Sequence, residues 1–175
     1  MLNPQSQPTN LSTHRNYPSK WLWFSCSFLI ILLDQISKYL ADRFLPYGVP
    51  QKFIPFLNLW LTYNPGAAFS FLGTAGPWRI VVLSGISILI AIVIIVWLFR
   101  IPRSNWFVAM ALSLVLGGAI GNLIDRLRLQ YVIDFFDFYI GQWHFFIFNV
   151  ADAAAFVGAT LLVIKWLFFG NRKDQ

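Results

Sequence analysis

Four apolar runs, each long enough to cross a bilayer, constrain this chain more than any other feature. Ile80–Phe99 is 20 residues without a charge and Trp106–Ile124 another 19, and a hydrocarbon core about 30 Å thick needs roughly that many in a helix. A first run starts at Trp21 and continues through Asp34–Lys38 to Ala41; a fourth covers 149–169. Between the first two runs, residues 42–79 carry five prolines and are too broken to span. Within them KFIPFLNLWLTYN (52–64) alternates and is aromatic, which predicts short strands in a small sheet on the membrane surface, beside a short interfacial helix. The expected fold class is an all-α membrane protein: four transmembrane helices with a small extracytoplasmic β/amphipathic element after the first span. A hydrophobic fraction of 58% and a charged fraction of 11% agree, against a charged fraction of about 25% in soluble domains.

Residues 1–20 are rich in Pro, Asn, Gln, Ser and Thr and read as a disordered extension. Residues 21–170 form a single four-span membrane domain, and 171–175 a cytoplasmic tail. Lys20 followed by Trp21–Leu33 has the outline of a signal peptide, but no small-x-small cleavage motif follows, so the run is taken as an uncleaved span. Four spans place both termini on one side, with the turn at 100–105. That side carries Arg15, Lys20, Arg100, Arg103, Lys165, Arg172 and Lys173, seven of the thirteen basic residues. The bias is slight; the short basic turn and the tail favour that side as cytoplasmic.

Composition also removes alternatives. The single cysteine, Cys26, cannot form an intrachain disulfide, and two histidines with one cysteine supply no Cys/His zinc site. No metal or cofactor is expected. A net charge of +6 is scattered around the apolar runs rather than gathered on a polar face, so it reports membrane orientation and not nucleic-acid binding.

The acids are few, and four of the seven lie in Gly117–Asp152. A carboxylate in or beside a membrane is expensive and marks a candidate functional site. Asp34 and Lys38 are spaced i, i+4, with the acid first, the better order for a helical ion pair; they read as a structural pair or as groups that position a substrate. Asn64-Pro65-Gly66 is a turn followed by small residues that would let a substrate chain approach. Gly117, Gly118 and Gly121 make a small helix face, with Gly117 and Gly121 in GxxxG spacing. Asn122 stands three residues before Asp125 and four before Arg126, so the three are expected to meet near the outer end of the third span. Asp134 sits in an apolar, aromatic segment read as a loop. Asn149 and Asp152 are i, i+3 at the start of the fourth span, and Ala151, Ala153, Ala154 and Ala155 leave room beside that carboxylate. A helix-start acid favoured by the dipole is the simpler account of Asp152.

Two aspartates sharing a water can divide the work of peptide hydrolysis. One, ionised, accepts the water's proton; the other, protonated, donates to the carbonyl or the leaving amine. Like charge and low dielectric push the two pKa values apart. No metal and no Ser–His pair is needed, and His144, alone among aromatics, reads as packing. Asp125, Asp134 and Asp152 compete for the two roles.

The order of motifs is more specific than any one of them: DQISK (34–38), NPGAAF (64–69), GGAIGNLIDR (117–126), VIDF (132–135) and FNVAD (148–152). On four spans this set resembles the prolipoprotein signal peptidases (signal peptidase II) of bacterial inner membranes, over residues 21–170. The resemblance implies an aspartic endopeptidase that removes the signal peptide of diacylglyceryl-modified prolipoproteins immediately before the lipidated cysteine. It assigns catalysis to Asp134 and Asp152. It assigns substrate binding or support to Asp34, Lys38, Asn64, Gly66, Asn122, Asp125, Arg126, Asn149 and Ala151. It further implies a multi-pass monomer in the inner membrane among its lipids, with both termini cytoplasmic, an active site near the outer face, and sensitivity to globomycin. The rival reading is a small ion- or proton-coupled transporter using the intramembrane Asp, Lys and Arg groups, weakened by the lack of paired broken helices.

Overall fold

The computed structural model describes residues 18–66, 76 and 78–169. The expected N-terminal extension, the C-terminal tail, the interfacial helix and the small residues after Gly66 lie wholly or largely outside them. Among the described residues four helices are long and apolar enough to cross a membrane: α1 Lys20–Phe44, α2 Trp78–Arg100, α3 Trp106–Leu129 and α4 Val150–Phe169. Each follows its apolar run to within a few residues, except that α3 continues five residues past Ile124, through Asp125–Leu129.

The helix ends have local causes. The Ser19 hydroxyl accepts from the Trp21 backbone N–H at the start of α1. Gln130 closes α3 in the left-handed conformation, φ 66°, its N–H donating to the Arg126 carbonyl. At α4, Asn149 Oδ1 accepts from the Asp152 N–H at 2.8 Å while Asp152 Oδ2 accepts from the Asn149 N–H at 3.3 Å. That reciprocal pair is a capping box built from Asn and Asp.

The third helix is the centre of the bundle and packs against the other three. Close approach depends on its glycines, which do not share one face as expected. A Cβ on Gly117 would lie 2.7 Å from Ile30 Cβ of α1, and one on Gly118 only 2.3 Å from the Ala151 carbonyl oxygen of α4. A Cβ on Gly121 would meet both neighbours, Asp34 Oδ2 at 2.7 Å and Ala151 Cβ at 3.1 Å. Small residues at these contacts are how helices associate where lipid removes the hydrophobic drive. Below them lies an apolar cluster around Trp23, Leu98, Leu112 and Leu116. Large side chains such as Val81 and Trp166 point outward, which suits lipid and not water.

The sheet is larger than expected. Among the described residues it has four antiparallel strands in the order β1 (Gln51–Ile54), β2 (Leu57–Asn64), β3 (Val132–Ile140), β4 (Trp143–Phe148). The first two match the predicted strands. The second two replace the expected loop, so an all-α description holds for the spans alone. Residues 132–138 are mostly buried on both faces and, apart from Asp134 and Asp137, apolar on both, so they lack the alternation that marks a half-buried strand. Gly141, at φ 63°, lies in the two-residue turn that joins them. One face of the sheet, with Leu61, Ile133 and Phe135, packs against Ala41 near the end of α1 in a second apolar cluster.

Candidate active site

Between the two apolar clusters lies a polar network assembled from α1, α3, α4 and the sheet. Its hub is Lys38, 2% exposed. The ammonium meets Asp34 Oδ2 at 2.8 Å, Asp125 Oδ2 at 2.9 Å and Asn122 Oδ1 at 2.9 Å, which uses all three of its donors. The i, i+4 pair is therefore present, and it also ties α1 to α3. Asp34 Oδ1 accepts from the Ala151 N–H at 2.9 Å, tying α1 to the first turn of α4.

Asn122, Asp125 and Arg126 do not bond to one another as expected. Asn122 and Asp125 meet through Lys38. Arg126 turns toward the Gly66 carbonyl at 3.5 Å and makes no ion pair among the described residues. The reason is packing: Lys38 from α1 already occupies the space beside Asp125. Asp125 Oδ2 also accepts from the Ile133 N–H at 3.2 Å, which pins the start of β3 to α3. Gln35, which the sequence reading gave no role, donates to Asp125 Oδ1 at 2.9 Å and to Asp34 Oδ2 and the Gly121 carbonyl at 3.2 Å. An amide one residue from an intramembrane acid was the available signal.

The two carboxylates of VIDF and FNVAD face one pocket of about 310 Å³, together with Asn64, Asn122 and Arg126 and with Phe146 and Phe156 as apolar walls. Strand register explains the first. Thr62 is directly opposite Asp134, and Asn64, two residues on, reaches it diagonally with Nδ2 3.0 Å from Asp134 Oδ2. Asn149 holds both acids. Its Nδ2 donates to Asp134 Oδ1 at 2.7 Å, while its backbone forms the capping box with Asp152. That Nδ2 is also 3.1 Å from Asn122 Oδ1 and 3.3 Å from the Ile133 carbonyl. Asn122 Nδ2 donates to Asp152 Oδ1 at 2.7 Å. The Gly66 N–H donates to Asn64 Oδ1 at 2.9 Å, fixing which way that amide points.

Burial, and secondly the neighbouring Asp152 carboxylate, push Asp134 up from 3.8 to about 7, against the opposing hydrogen bonds from Asn64 and Asn149. Asp152 lies close enough for its charge to disfavour ionisation of Asp134. The arrangement gives one pocket with two carboxyls near a carbonyl-binding cation, and it can polarise a water or move a proton. No group of three or more His, Cys, Asp or Glu among the described residues could hold a metal ion.

A second polar cluster lies apart, on the sheet. His144 Nδ1 is 2.8 Å from Asp137 Oδ2, and Asn58 Nδ2 donates to the same oxygen at 2.9 Å. The ring does pack against Tyr139 and Trp60, as expected of a lone histidine among aromatics. Its partner Asp137, fully buried, was not legible because β3 was read as a loop.

Fold and site together define a multi-pass membrane protein with a pair of carboxylates, one buried and one half-buried, in a cleft between helix and sheet. The sequence profile described as signal peptidase (SPase) II matches residues 26–168. A lipoprotein signal peptidase of Coxiella burnetii (strain RSA 331 / Henzerling II) is 54% identical over 153 residues, covering 87% of this chain and 93% of that protein. A lipoprotein signal peptidase of Acinetobacter baylyi is 42% identical over 159 residues, covering 91% and 89%. A solved structure described as a bacterial membrane enzyme, determined by the in meso method at 2.3 Å resolution, superposes with a TM-score of 0.80 at 31% identity, covering 89% of this chain and 93% of that one. The chain belongs to the signal peptidase II family, and it is a membrane peptidase.

Proposed function

We propose that this chain is an aspartic endopeptidase that cleaves diacylglyceryl-modified prolipoproteins immediately before the lipidated cysteine, with Asp134 and Asp152 activating one water. The observation that carries the reading is the placement of both carboxyls on one pocket, each held by Asn149. The relatives' name, lipoprotein signal peptidase, supports the substrate class.

In this mechanism Asp134, buried enough to hold a proton near neutrality, is the acid, and Asp152 is the base. Asp152 takes a proton from the water as its oxygen attacks the scissile carbonyl, and Asp134 donates to the carbonyl oxygen. Collapse of the tetrahedral intermediate then returns a proton to the leaving amine. Asn149 and Asn122 fix the rotamers of the two acids, and Lys38 with Asp34 and Asp125 braces the helices that carry them. The Arg126 Nε atom, buried without a hydrogen-bond partner among the described residues, is available to a substrate carbonyl. The substrate enters laterally from the bilayer, the site lies near the outer face of the bacterial inner membrane, both termini are cytoplasmic, and the enzyme works as a globomycin-sensitive monomer.

The test uses purified protein and a diacylglyceryl-modified precursor. Asp134→Asn and Asp152→Asn should each abolish cleavage at neutral pH in protein that remains folded, and globomycin should inhibit the wild type. Near wild-type turnover by either variant removes that acid from the mechanism.

A further inference from the structure

Next to the candidate site is a larger cavity of about 530 Å³, within the 300–1,000 Å³ range of sites that enclose a small ligand. Four phenylalanines of the β3–β4 hairpin, Phe138, Phe145, Phe146 and Phe148, form one wall, and Phe156 and Val157 of α4 form the other. The hairpin rings brace one another, Phe138 with Phe145 at 5.4 Å between centroids and Phe146 with Phe148 at 5.8 Å. This cavity and the polar pocket share Phe146, Asp152 and Phe156. They therefore meet at one of the two carboxylates.

The linings divide by chemistry. The polar pocket offers Asn64, Asn122 and Arg126, which can pair with the N–H and C=O groups of an extended peptide. Among the described residues that line the phenylalanine groove, Asp152 is the single polar one. A peptide lying there would leave its backbone groups unpaired, at a cost comparable to lost hydrogen bonds. A hydrocarbon chain brings no such groups. Phe156 is 71% exposed, so the groove opens sideways, where an acyl chain can enter from lipid.

We propose that this groove is the subsite for an acyl chain of the lipid-modified substrate. The inference rests on the peptidase reading above. Because β4 runs through Asn149 directly into α4, the groove and Asp152 belong to one continuous piece of chain. An acyl chain seated there holds the lipid-bearing residue beside the carboxylates, so the bond next to the lipid is the one presented for cleavage. A chain drawn from a bilayer gains little hydrophobic free energy, since lipid is as apolar as the groove. Its contribution is to position, and it appears in kcat/KM.

The experiment uses the full-length enzyme and a synthetic precursor bearing two hexadecanoyl chains, one with a terminal diazirine, together with the same peptide bearing acetyl groups. Cleavage of the long-chain precursor, with photolabel on Phe145, Phe156 or Val157, is the expected result. Val157→Trp, which fills the groove from an exposed position, should lower kcat/KM for the long-chain precursor by about tenfold, in line with small misplacements of a reacting group. It should also erase the preference for long chains over acetyl. Cleavage with the label elsewhere on the bundle overturns the groove and leaves the peptidase reading standing. So does a chain-length preference that survives in a folded Val157→Trp variant. Equal labelling by a diazirine phospholipid that the precursor cannot displace shows bulk lipid in the groove and also overturns it. Failure of the wild type to cleave overturns both readings.

Discussion

Asp134→Asn should change the pH dependence of stability in a way that isolates one proton. In the fold the carboxyl is pushed from 3.8 to about 7. Between those values the folded protein keeps a proton that the unfolded chain has released. Its contribution to stability is therefore complete below about pH 4 and is lost as pH rises through about 7. Some three units at about 1.36 kcal/mol each give roughly 4 kcal/mol across the window. An asparagine has no proton to lose, so the variant's stability should lack this component. It carries a different, constant penalty. Asp134 accepts two amide N–H groups, from Asn64 at 3.0 Å and Asn149 at 2.7 Å, and a single amide oxygen can accept only one of them in the same geometry. The unmatched donor costs about 1–3 kcal/mol at every pH. Thermal unfolding followed by tryptophan fluorescence, in one detergent from about pH 4.5 to 8, reads the difference between the two proteins. The variant should be clearly weaker at the acidic end and should close the gap, or overtake, above neutrality. Two melting curves that run parallel over the whole range would refute the raised pKa and, with it, the assignment of Asp134 as the acid.

Three further perturbations probe the frame around the acids. Lys38→Met leaves Asp34 and Asp125 buried without their cation and should cost about 3–5 kcal/mol, read as a large fall in melting temperature and folded yield; a wild-type melt would show that the hub is dispensable. Gly118→Ala places a Cβ 2.3 Å from the Ala151 carbonyl oxygen, so α3 and α4 must separate; a loss of about 1–3 kcal/mol and a drop in turnover are expected, and full activity would mean the contact is slack. Asp125→Asn weakens the anchors of Lys38 and of the Ile133 N–H and should lower folded yield while leaving measurable turnover. Abolished chemistry in a well-folded Asp125→Asn protein would promote Asp125 to catalyst.

The sequence by itself determined the four spans: two are uncharged runs of 19 and 20 residues, which have few places to go other than a membrane, and two are runs of similar length broken by only a few charges. It determined the Asp34–Lys38 pair and the place of Asn149 and Asp152 at the start of α4, since both are set by helical spacing within a few residues. The five motifs in order carried the family. Tertiary structure decided the rest. The hairpin of β3 and β4 was hidden because a strand covered on both faces shows no alternation. The partners of Asn122 and Arg126 could not be read from i, i+3 and i, i+4 spacing, because Lys38 arrives from another helix. Gly117, Gly118 and Gly121 set how closely that helix and α4 approach. Asp134 meets Asp152 only because strand register and the α4 cap bring Asn149 between them. Local spacing fixes what each segment becomes; which buried charges share a pocket is fixed by the packing of segments far apart in the chain.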